Sequence, residues 1–122
     1  MIKTFTTRIA PHVKAQLSLA EEARRKERVI DEFSHLEAAH VLGQESTYWH
    51  VRSHIEMARW ALRQRSGREL VAQVIRIVGA ATKTVFGLVP RGNTGGSNVS
   101  PFKRLPLSAS HEAIIMAAKK ND

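Results

Sequence analysis

The feature that most constrains this chain is the spacing of its apolar residues, which recur every three to four positions in four successive windows. Val29, Phe33, Leu36 and His40 fall at i, i+4, i+7 and i+11, one stripe of an α-helix. Val51, Ile55, Ala58 and Leu62 make a second such row, with His50, His54, Met57 and Ala61 as the row beside it. Upstream, "PHVKAQLSLAEEARRK" repeats the pattern through Val13, Leu17 and Ala20. Downstream, "LVAQVIRIVGAATKTVFGLV" is apolar except for a stripe through Gln73, Arg76, Ala80, Lys83 and Gly87, which points to the most buried helix of the set. Strands repeat every two residues, and no strand pattern competes with this one. The expected fold is all-α: two antiparallel helical hairpins, a long Gly/Asn/Pro loop and a short C-terminal helix.

Local signals set the expected boundaries. Residues 1–10 read as a lead-in, because Pro11 suits a first helical turn. Residues 11–88 then form the hairpins. The "RRKER" cluster at 24–28 holds no Gly or Pro, so a continuous helix and a break fit it equally well. Gly43 is placed to end one helix as a C-cap, and Ser46 or Thr47 to begin the next. Ser66 and Glu69 form a capping box. Residues 89–107 contain three prolines and three glycines and read as a loop. Residues 108–120 read as the last helix, capped by Ser108 or Ser110, with Glu112 near its start and Lys119 and Lys120 near its end.

A length of 122 residues fits a single domain, and 43% hydrophobic residues suffice for a core. The absence of cysteine excludes disulfides, zinc ribbons and thiol chemistry. The N-terminus shows no signal-peptide pattern, and Arg76 and Lys83 interrupt the most apolar stretch. Both point to a cytoplasmic protein without a membrane span. The net charge of +8 suits nucleic acid or simply a basic soluble surface, and the absence of interleaved aromatics favours the second.

Within this frame, "EFSHLEAAHVLGQES" resembles the second helix of a tetratricopeptide-like unit, with Phe33 and Ala39 at its packing positions. Over residues 11 to 107 the chain also resembles a bacterial family known as domain of unknown function 3703. "HLEAAHVLGQ", "HVRSH" and above all "GLVPRGNTGGSNVS" carry that resemblance. It implies a helical hairpin fold and a bacterial cytoplasmic origin, and it implies no activity.

Two candidate sites follow from the residues. His50 and His54, at i and i+4, share a helix face about 5–6 Å apart, the spacing that lets two imidazoles bind one metal. Antiparallel packing across the Gly43 bend brings His40, and with it Glu37, towards them. Such a set suits Zn, Ni, Co or Fe. Hydrogen-bonded core histidines are the competing account. His35 points away from His40 on the helix and stays outside the set.

The second site is the loop Gly92, Asn93, Thr94, Gly95, Gly96, Ser97 and Asn98. Its glycines permit an anion-binding nest. A plain polar connector is the bland reading, and a loop packed over the histidines is the third. A basic patch at Arg59, Arg63, Arg65 and Arg68 is the candidate nucleic-acid contact. No catalytic residues are identifiable, and the balance is against an enzyme. The leading expectation is a protein-interaction module binding itself or another protein. Metal binding is the alternative, and nucleic-acid binding the weaker one.

Overall fold

The computed structural model describes residues 4–83, Gly95 and residues 106–120. These form five helices: α1 (Phe5–Arg25), α2 (Val29–Gly43), α3 (Thr47–Arg63), α4 (Gly67–Lys83) and α5 (Ala109–Lys119). Helix α1 packs on α2 and α3 on α4, the two hairpins, while α2 joins them through α3. Helix α5 closes the open end of the first hairpin against α1 and α2. The fold is all-helical, as the periodicity requires. Among the described residues, no helix is long and apolar enough to cross a membrane.

The first helix starts six residues before its expected boundary. Thr4 is the N-cap and accepts from the Thr7 amide, leaving Pro11 inside the helix on an exposed face. Packing explains the difference. Ile9 and Val13, four residues apart, are both fully buried, so the turn preceding Pro11 is drawn into the core. Residues 5–10 are therefore helix rather than lead-in.

Helices α1 and α2 are separate. Their junction holds Glu27 at φ 57°, and the Arg28 amide reaches back to the Ala23 carbonyl at 2.8 Å. The α3–α4 turn repeats the device: Arg65 sits at φ 57°, and the Ser66 amide bonds the Ala61 carbonyl at 2.9 Å. Both are left-handed helix terminations closed by a six-to-one hydrogen bond. Glycine normally takes that position; here two charged residues do.

Gly43 plays a different part from the expected C-cap. It is the last residue of α2, and Gln44 after it keeps right-handed helical angles. A Cβ at Gly43 would lie 2.5 Å from the Trp49 Cβ. The glycine is there for close approach of two helices. Ser46 caps α3 by accepting from the Trp49 amide, and Ser66 caps α4 by accepting from the Glu69 amide.

The main core gathers Ile9, Val13, Ala39, Leu42, Trp49, Ile115 and Ala118 from four helices. A smaller cluster of Ala20, Leu36 and Met57 lies further along the same seam. The Trp49 indole donates to the Thr6 carbonyl at 3.0 Å, which ties α3 to the start of α1. The buried Glu32 carboxylate is paired with Arg63 across the hairpins.

Helix α4 departs most from expectation. Its inward side carries Glu69, Gln73 and Ala80, all buried. Its outward side carries Val71, Val74, Ile75 and Val78, each more than half exposed. The polar stripe faces the protein and the apolar stripe faces out, because the inner side is committed to hydrogen bonding with His54 of α3 and with Gly95. The expected continuation to residue 88 lies outside the described residues.

Candidate metal centre

Within α3, the row that packs inward is His50, His54, Met57 and Ala61, every member buried. The row beside it, Val51, Ile55 and Ala58, is half-buried, and Leu62 is exposed. The histidines thus occupy the seam of the helix rather than its edge. Opposite them, His40 lies in the buried last turn of α2.

The three imidazoles form a near-equilateral triangle. Ring centroids lie 4.6 Å apart for His40–His54, 4.9 Å for His40–His50 and 5.0 Å for His50–His54. One ring nitrogen from each falls within 4.8 Å of the other two. His40 Nε2 and His54 Nε2 are only 3.1 Å apart.

The tautomer of His54 follows from its neighbours. The Gln73 amide nitrogen donates to Glu69 Oε1 and to the Gly95 carbonyl, both at 2.8 Å. Those acceptors fix the orientation of the amide, so Gln73 Oε1 faces His54 Nδ1, at 2.6 Å. An amide oxygen only accepts, so His54 Nδ1 carries the proton. In the neutral ring, Nε2 then carries the lone pair, directed at His40. Burial pushes the His54 pKa down to about 4, against a smaller upward effect of Gln73, so the ring is neutral at ordinary pH. A histidine that ligates a metal usually gives its other ring N–H to a partner that fixes ring and tautomer in this way.

Gly95 roofs the triangle. At φ +85° it takes a conformation that favours glycine, and a Cβ there would lie 2.7 Å from His40 Cδ2 and 2.9 Å from Nε2. Its carbonyl accepts from Gln73 and, at 3.1 Å, from Arg76. Burial pushes the Arg76 pKa below its ordinary value, and the Glu69 carboxylate opposes this. One amide side chain therefore holds both the base of the site, at His54, and its cover, at Gly95.

Of the expected ligands, His40, His50 and His54 come together and Glu37 does not join them. Glu37 is half-buried and lines a separate cavity of about 280 Å³ with Ser34, Leu107 and His111. His35 stands apart, its Nδ1 2.9 Å from Gln16 Oε1. Of the glycine-rich loop, Gly95 is described and lies against His40; Gly92, Asn93, Thr94, Gly96, Ser97 and Asn98 lie outside the described residues. In the basic patch, Arg59 is paired with Glu56 and Arg63 with Glu32. Sequence reasoning missed Glu69 and Gln73 as parts of the site. Their signal was present: an i, i+4 polar pair inside an otherwise apolar helix.

No characterised protein and no solved structure matches the chain. A family model described as "Protein of unknown function (DUF3703)" matches residues 7–115. The chain belongs to that family.

Proposed function

We propose that this protein binds a divalent transition metal through His40, His50 and His54. The observation that carries the reading is the convergence of three buried imidazole nitrogens within 4.8 Å of one another. In a tetrahedral zinc site with Zn–N near 2.05 Å, ligand nitrogens stand about 3.3 Å apart. The His40–His54 separation of 3.1 Å is already close to that edge, and a small inward movement of His50 completes the face. Imidazole ligands suit zinc, nickel, cobalt and iron. A fourth position is left for water or a small anion, since the cluster holds three protein ligands among the described residues. Metal entry requires His40 Nε2 to present a lone pair, so its proton moves to Nδ1 or leaves.

The test is elemental analysis of the untagged protein grown with zinc, nickel and cobalt, followed by calorimetric titration of the metal-free form. One ion per chain is expected for the wild type, and at least tenfold weaker binding for a folded His54→Ala variant. A wild type that shows no saturable binding ends the proposal.

The interaction-module reading draws on a different feature. A groove of about 560 Å³ between α1, α2 and α3 is lined by Leu17, Leu36 and Trp49, with Tyr48, Lys14 and Arg24 at its sides. Its lining also holds Glu21, Glu32 and Glu56 beside Arg52, Arg59 and Arg63, which leaves a net positive groove suited to an acidic protein segment. Titration with a labelled Glu-rich peptide, read through tryptophan fluorescence, tests it; an unchanged signal at millimolar peptide rejects it. A nucleic-acid role has less support, because Glu56 and Glu32 already engage Arg59 and Arg63.

A further inference from the structure

Helix α4 is turned inside out, and that arrangement has a consequence independent of any metal. Val71, Val74, Ile75 and Val78 fall at i, i+3, i+4 and i+7, the spacing of a helix–helix seam. They are 60%, 53%, 67% and 67% exposed. No charged residue stands within the stripe, from Val71 to Val78, since Arg76 is turned to Gly95 on the other side. Single exposed apolar residues are ordinary, as with Ile30 on α2, whereas a contiguous row marks a contact surface.

We propose that this stripe is a homodimer interface, in which α4 packs antiparallel against α4 of a second copy about a two-fold axis near Val74 and Ile75. Three observations favour a second copy. The chain beyond α4 is back on its inner side at Gly95, where the carbonyl is held by Gln73 and Arg76, so Gly95 does not cover the stripe. A row of β-branched residues without charge is self-complementary: each valine meets a valine or isoleucine, as an isologous contact requires. The area also fits. The four side chains expose roughly 400 Å² per copy, and with rim residues such as Arg68 and Ala81 two copies bury roughly 1,000 Å², where specific interfaces begin.

An interface of that size predicts a dimer that dissociates in the micromolar range. Sedimentation of the full chain from about 1 to about 500 μM should show a concentration-dependent monomer–dimer equilibrium. Ile75→Glu should weaken it at least a hundredfold, with helical content unchanged because the side chain is exposed. Val71→Glu serves if Ile75→Glu fails to fold. Ile30→Glu, on a lone exposed residue, should leave the equilibrium as it is. The chain has no cysteine, so Val74→Cys offers a geometric check: it should form a disulfide dimer across the axis, while Arg68→Cys should not. A wild type that stays monomeric at the highest concentration overturns the proposal, as does a dimer indifferent to glutamate at both 71 and 75.

Discussion

Because Glu69 and Gly95 both present acceptor oxygens to the Gln73 amide, Gln73→Leu removes three hydrogen bonds at once. It takes the acceptor from the buried His54 Nδ1 and frees the ring to rotate. The expected loss is about 2–4 kcal/mol of stability, read by urea denaturation. Metal affinity should fall about 10- to 100-fold, read by calorimetry. Gly95→Ala should act from the other side of the triangle. Its Cβ would press on the His40 ring while the backbone is held at φ +85°, so a cost of about 1–3 kcal/mol and weaker metal binding are expected.

His54 also gives the metal-free protein a pH dependence. The unfolded chain takes up a proton at an ordinary histidine, near 6.5, and the fold does so only near about 4. On acidification the unfolded state is protonated first. Stability is therefore complete above 6.5 and declines as pH falls towards 4, by about 3 kcal/mol in all. Denaturation midpoints of the metal-free form across that range check the sign; a midpoint that rises on acidification contradicts the assignment.

Among the elements, the turns show what a sequence signal can and cannot carry. Ser46, Ser66 and Ser108 are capping residues legible from their type and spacing, and each makes its bond. The α1–α2 break was not legible, because Glu27 occupies the left-handed position where glycine would announce a turn. Arg65 does the same between α3 and α4. Such residues strain the backbone by about 1 kcal/mol. Arg65→Gly should therefore raise stability by about 0.5 kcal/mol, once the extra flexibility of unfolded glycine is subtracted. Gly43 was legible as special but for the wrong reason: it answers Trp49 on the next helix, a neighbour its own turn does not reveal. The early start of α1 was hidden by Pro11, although Thr4 is a local N-cap and Ile9 is held by burial against other helices.

At the scale of the whole molecule, period and composition were enough for an all-helical pair of hairpins and for the meeting of His40 with His50 and His54. Antiparallel helices joined by a short bend leave residues near that bend little freedom to miss one another. The orientation of α4 was not recoverable in the same way. Its outward apolar face follows only once Glu69 and Gln73 are seen to serve His54, and an isolated amphipathic pattern does not say which face turns in. The two opposite faces of α4 thus differ: one holds His54 through Gln73, and the other is the exposed apolar stripe proposed to meet a second copy.

Metal binding stands or falls with the histidine triangle, and a calorimetric zinc titration of the metal-free, untagged protein beside His54→Ala measures it directly. One saturable site per chain is expected in the wild type, and binding at least tenfold weaker in the folded variant. Saturable binding of equal strength in both, or none in the wild type, rules the histidine site out.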